Sequence, residues 1–118
     1  MEKLTRAEEP IMKIIWDRGD VFVKEIIDAL EEKAPYNTVS SLVRILESKG
    51  MVGYRAYGRT HQYFPLVKRS EYRKEMLKNM ITEYFDGSYK GLISQILNDN
   101  SISEEEANEL KTLINKEL

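Results

Sequence analysis

A mainly α architecture carrying one small β-hairpin is what this 118-residue sequence predicts, and three observations predict it. Val39, Leu42, Val43 and Leu46 recur at i, i+3, i+4 and i+7, which makes one apolar stripe on a helix over residues 37–49. Gly50 supplies a helix stop, after which residues 51–64 alternate, turn at Tyr57-Gly58-Arg59-Thr60 and alternate again. Beyond Pro65 the pattern is helical once more. A helix followed by a basic hairpin is the reading pair of a winged helix-turn-helix. The expected fold is therefore a winged helix-turn-helix over residues 1–68 plus a C-terminal three-helix dimerisation segment over 69–118.

The elements follow in order. Thr5-Arg6-Ala7-Glu8 has capping-box spacing and opens a helix to about Asp17, with Leu4, Ala7, Ile11, Ile14 and Ile15 as its stripe. Pro10, one turn in, removes a hydrogen bond. Trp16 is expected in the core near the domain's edge. Arg18-Gly19-Asp20 is a turn, and Val21-Phe22 a short strand. Val23 to about Lys33 is a second helix that buries Ile26, Ile27 and Leu30, and Ala34-Pro35 breaks it. The next helix takes Asn37 or Thr38 as its cap, and the two make the helix-turn-helix. Ser70 to Phe85 is a helix whose apolar positions (Tyr72, Met76, Leu77, Met80, Ile81, Tyr84, Phe85) wrap more of it than one core face requires. Leu92, Ile93, Ile96 and Leu97 define a short helix, and residues 98–101 a loop. Ser103 to Glu106 is a second capping box, with Ile102 stapled on Ala107, and the last helix is expected to bury Leu110, Leu113 and Ile114.

The face of helix 37–49 opposite its stripe carries Asn37, Ser40, Ser41, Arg44 and Ser48. Short polar side chains let a helix backbone come close to base edges in the DNA major groove. An ordinary helix with a solvated face fits the periodicity equally well, and charge separates the two. Residues 36–74 hold eight Lys and Arg against two Asp and Glu, whereas the segments on either side are net acidic. A basic stretch confined to the reading segment is the footprint expected of phosphate contacts.

Composition narrows the alternatives. There is no cysteine, so no disulfide, thiol switch or zinc knuckle can form, and His61 is the only histidine. The paired carboxylates at Glu8-Glu9, Glu31-Glu32 and Glu104-Glu105-Glu106 fit solvated faces or first-turn charges. No enzyme, metal or cofactor is expected. No apolar run approaches the roughly 20 residues of a membrane helix, and MEKLTRAEEP has no signal-peptide core, so the expectation is a cytoplasmic protein.

The last stretch has too little core to stand alone yet carries broad apolar surface, which points to pairing with a second copy. A twofold dimer would read a near-palindrome with half-sites about one or more helical turns apart. Two other readings keep the fold. Met76, Met80, Tyr84 and Phe85 could line an effector pocket, or the domain could be a protein-interaction module offering its acidic segments to a basic partner.

LTRAEEPIMKIIW at the start, NTVSSLVRILESKG in the reading helix and GYRAYGRTHQYFPLV through the hairpin resemble, in that order, the BlaI/MecI/CopY family of bacterial repressors. SEEEANELKTLINK fits the family's helical tail. The resemblance implies a winged-helix domain, a dimerisation segment and repression by covering a promoter. It implies that Thr38, Ser41 and Arg44 face the groove, with Asn37 and Ser40 beside them. Arg59 then meets the sugar-phosphate backbone or minor groove, and Lys49 and Arg55 meet phosphates. Tyr63 and Phe64 anchor the hairpin to the core. The expected dimer residues are Leu77, Met80, Ile81, Tyr84, Phe85, Ile93, Ile96, Leu97, Leu110 and Ile114. In the penicillinase-type branch, induction resembles proteolysis at an Asn-Phe bond. Here Gln95-Ile96 falls at that place, so the sequence leaves the inducer or inactivating protease unnamed. The cysteine cluster of the copper-responsive branch is absent.

Overall fold

The computed structural model describes residues 1–99 and 102–117, with 114, 116 and 117 described by their backbone alone. The chain divides into two compact units, Met1–Met76 and Leu77–Leu118, so the first unit runs past the expected limit at 68.

The first unit holds helices α1 (Glu8–Arg18), α2 (Val23–Ala29) and α3 (Tyr36–Ser48) with strands β1 (Val21–Phe22), β2 (Val52–Tyr57) and β3 (Thr60–Pro65). The sheet is antiparallel with order β1-β3-β2. Val21 pairs with Tyr63, which ties the two-residue strand to the hairpin. This is the small sheet of a winged helix.

The capping box at the start forms as spaced: the Thr5 amide donates to Glu8 Oε1 at 2.8 Å, and the Glu8 amide to Thr5 Oγ1 at 3.3 Å. The Glu9 amide also reaches the Thr5 carbonyl, so the first turn exists before Glu8. Pro10 has no N–H for the carbonyl four residues back, and the regular helix therefore begins only at Glu8. Ile11, Met12 and Ile15 of this helix enter the core, which Val21, Val23, Ile26, Leu30, Val39, Val43, Leu46, Met51, Val52 and Tyr63 complete.

Helix α2 stops at Ala29, short of the expected Lys33. Leu30 turns to extended backbone (ψ 133°), and the Lys33 ammonium folds back onto the carbonyls of Ile27 (3.0 Å) and Asp28 (2.9 Å). A cation on the last carbonyls closes the helix instead of lengthening it. Helix α3 likewise starts one residue early. Pro35, in extended conformation, is its N-cap, its carbonyl receives the Val39 amide, and neither Asn37 nor Thr38 serves as a cap. Its other end is a Schellman motif. Gly50 takes φ +79°, its amide goes to the Glu47 carbonyl, and the Met51 amide reaches Leu46. Leu46 and Met51 are both buried there.

Helix α4 (Arg69–Tyr84) begins in the first unit. The Tyr72 hydroxyl accepts from the Leu4 amide at 3.0 Å, its ring lies 5.6 Å from Trp16, and the Trp16 indole N–H donates to the Val67 carbonyl at 2.8 Å. Trp16 is thus at the edge of the core, as its position suggests.

The second unit contains the rest of α4, then α5 (Tyr89–Asn98) and α6 (Glu104–Glu117). Ser88 caps α5 by accepting the Gly91 amide at 3.0 Å, and the Ser103–Glu106 box caps α6 with bonds of 3.1 and 3.3 Å. Ile81 is 1% exposed, so it is interior to a single chain rather than available to a partner. Leu113, expected to be buried, is 56% exposed. The Ile114 side chain and loop residues 100 and 101 lie outside the described residues. Among the described residues no helix is long and apolar enough to cross a membrane.

Candidate nucleic-acid interface

Helix α3 presents two faces of opposite chemistry. Val39, Val43 and Leu46 are fully buried and Leu42 is half-buried, which is the predicted stripe. Asn37, Thr38, Ser41, Arg44 and Ser48 are exposed, and Ser40 is half-buried at the edge of that polar face. Because 3.6 residues make a turn, positions 37, 41, 44 and 48 lie close to one line pointing away from the core. Arg44 has no ion pair among the described residues, so its guanidinium is open to an external acceptor.

The wing stands beside this face. Tyr57 pairs with Thr60 across a two-residue loop in which Gly58 has φ +63° and Arg59 does not enter the left-handed region, the geometry of a type II′ turn. The turn puts Arg59 at an exposed tip, also without an ion pair among the described residues. Tyr54 and His61 stack with centroids 4.3 Å apart, and Tyr57 meets the edge of Phe22 at 5.9 Å. Tyr63 is 4% exposed, and Phe64 is half-buried under the Arg55 guanidinium. Burial, with lesser effects of the surrounding charges, raises the Tyr63 hydroxyl above its ordinary pKa, as befits a core anchor.

Between α3, the start of α2 and the wing runs a cleft of about 620 Å³. Its walls include Lys24, Tyr36, Arg44, Tyr57, Arg59 and His61. Glu25 also lines it, with its carboxylate accepting from the Phe22 amide, so cations and hydroxyls from three elements outnumber the one carboxylate there, a balance that suits a polyanionic strand. Lys24 and Tyr36 were not foreseen from sequence. Lys24 reads as a solvated lysine until β1 pairs with β3 and brings the wing across it.

Two expected phosphate contacts are engaged elsewhere. Lys49 donates to Glu8 Oε1 at 2.8 Å with only 15% of its side chain exposed, and Glu2 lies 3.8 Å away. Glu8 is itself 1% exposed, so it is not the solvated first-turn charge its position suggested. Burial pushes the Glu8 carboxyl up. The Lys49 hydrogen bond, the Thr5 amide and hydroxyl, and the Lys49 charge outweigh that and hold it below its ordinary value. The same hydrogen bond raises Lys49 against its own desolvation. Lys49 therefore braces the end of α3 against the start of α1. Arg55 pairs with Asp20 at 3.0 Å while covering Phe64, but both partners of that pair are about half exposed.

The sites expected to pair with a second copy are unequal in exposure. Leu77 and Tyr84 stand 44% and 71% exposed. Met80, Phe85, Ile93, Ile96, Leu97 and Leu110 are half-buried. Of the four residues considered for an effector pocket, Tyr84 is exposed in the single chain and Met76, Met80 and Phe85 are half-buried. Gln95 and Ile96 lie inside α5.

Comparison with known proteins agrees with this geometry. The chain is 25% identical over 116 residues to the methicillin resistance regulatory protein MecI of Mammaliicoccus sciuri, covering 97% of this chain and 94% of that one. It is 24% identical over 114 residues to the penicillinase repressor of Bacillus licheniformis, covering 95% and 89%. The solution structure of the DNA-binding domain of the repressor BlaI superposes with a TM-score of 0.53 at 27% identity, covering 61% of this chain and 94% of that one. The model of the penicillinase repressor family matches residues 4–116, and the chain belongs to that family.

Proposed function

We propose that this chain is a DNA-binding transcriptional repressor that acts as a homodimer on a near-palindromic operator. The observation that carries the reading is the exposed polar face of α3, whose Arg44 has no ion pair among the described residues and lines, with Lys24 and Arg59, the cleft beside the wing. Asn37, Thr38, Ser40, Ser41 and Arg44 enter the major groove. Arg59, joined by Lys24, holds the sugar-phosphate strand in the cleft. Arg55 adds a weaker backbone contact, since it must first exchange Asp20 for a phosphate. Leu77, Met80, Tyr84, Phe85, Ile93, Ile96, Leu97 and Leu110 form the contact between copies, and so set the spacing of the two reading helices. Repression follows from occupancy: a dimer on a promoter excludes polymerase.

The test is a titration of the purified chain against the DNA upstream of its own gene and a shuffled duplex of equal composition, at about 50 and 200 mM salt. A preference of about a thousandfold with a protected palindrome is the expected result. No binding to either duplex at either salt would end the DNA reading.

A further inference from the structure

One residue of the α3 polar face has no polar group. Ile45 is 44% exposed, and among the described residues it is the only large aliphatic side chain on that side of the helix. Thr38, Ser41, Ile45 and Ser48 stand at i, i+3, i+7 and i+10, so they form one line along the flank of the face away from the stripe. Its neighbours on that line are short, and nearly half of the Ile45 surface stays open to solvent. Ile45 also lies outside the cleft that Ser40 and Arg44 line with the wing.

Resting on the DNA-reading assignment above, we propose that Ile45 is a specificity residue that recognises the 5-methyl group of a thymine in the major groove. An isoleucine can neither donate nor accept a hydrogen bond, so it discriminates only by apolar contact. Of the groups that the four base pairs show in the major groove, the thymine methyl is the apolar one. Short Ser41 and Ser48 on either side let the helix come near enough for that contact. The β-branch holds χ1 of Ile45 in one rotamer within a helix, so the methyl surface is ordered before DNA arrives. Arg44 and Ile45, adjacent in sequence, would then read unlike chemistry: a hydrogen-bonding edge and a methyl group.

The experiment begins with operator selection from random duplexes by the full chain. Each thymine of the selected site is then replaced singly by deoxyuridine, which keeps every hydrogen-bonding group and removes only the methyl. One thymine per half-site should lose about fourfold in affinity for the wild-type chain, equivalent to ~0.8 kcal/mol for one buried methyl. The same replacement should cost Ile45→Ala nothing, whereas Ile45→Val, which keeps two methyls, should still respond. Because Ile45 is exposed, both variants should melt with the wild type. If every deoxyuridine affects the wild type and Ile45→Ala equally, the thymine contact is wrong while the DNA reading stands. If no duplex is selected at all, the DNA reading falls and takes this inference with it.

Discussion

Arg44 and Arg59 carry the same charge, but the proposed reading gives them different tasks. Arg44 sits on a helix face narrow enough for a groove, so Arg44→Ala should relax selectivity at one base position. A cost of about 1–3 kcal/mol is expected if its partner is a guanine. Arg59 sits on a hairpin tip that offers charge without fixed orientation. Arg59→Ala should weaken all duplexes alike and lower the slope of log affinity against log salt by about one. Equal losses of selectivity in the two variants would refute the division. Glu8 and Lys49 make a prediction about stability instead. The folded Glu8 pKa lies below its ordinary 4.5, so its contribution is present above that value and is lost as pH falls through the lower one. The folded Lys49 pKa lies above 10.5, so its contribution is complete below that value and is lost only as pH rises past it. The pair is therefore intact across neutral pH. Glu8→Gln should melt lower than wild type at neutral pH, and the gap should narrow as both are taken below pH 4.5. A constant gap would mean the carboxylate charge is irrelevant.

At the scale of elements, two glycines bound the wing for different reasons. Gly50 has open space around its missing Cβ but a φ of +79°, so Gly50→Ala should cost about 1–2 kcal/mol of stability through backbone strain alone. Gly53 has ordinary backbone, but a Cβ there would lie 2.8 Å from Phe64 Cζ and 3.3 Å from Leu66 Cδ2. Gly53→Ala must displace the ring that Arg55 covers, so about 1–3 kcal/mol and a disturbed wing are expected. Denaturant unfolding measures both costs, and DNA affinity corrected for the folded fraction should fall further for Gly53→Ala. What was legible in the sequence has the same local character as these effects. The α3 stripe, the capping boxes and the Gly50 stop depend on neighbours within a few positions. The two-residue hairpin loop does too, and all of them stand where the spacing puts them. The early end of α2 was not legible, because Lys33 could as well extend a helix as fold back and close it. Nor was the engagement of Lys49, whose partner is 41 residues away in sequence.

For the whole molecule, the proposed function turns on the pairing of two copies. Tyr84 is so exposed that Tyr84→Glu should leave the fold of the chain unharmed. Together with Leu77→Glu it should shift sedimentation to the monomer and reduce operator affinity by about a hundredfold or more, because two linked contacts become two separate ones. A doubly substituted chain that still sedimented as a dimer would move the interface elsewhere in the helical unit. Exposure also marks where sequence reading ran out here. A helix apolar on several sides shows that something must cover it, and Ile81 is covered already, whereas Leu113 is not. Periodicity does not distinguish those cases, since both positions repeat at helical spacing.

The ion pairs bear on how such a protein would find its place in a chromosome. Of the eight cations in residues 36–74, Lys49, Arg55 and Arg69 are joined to carboxylates of the same chain. Every cation left free lengthens the stay on irrelevant sequence, and irrelevant sequence outnumbers the operator by about a millionfold or more. On the proposed reading, holding part of its positive charge against its own acids would shorten each wrong encounter and leave helix α3 to decide where the protein stops.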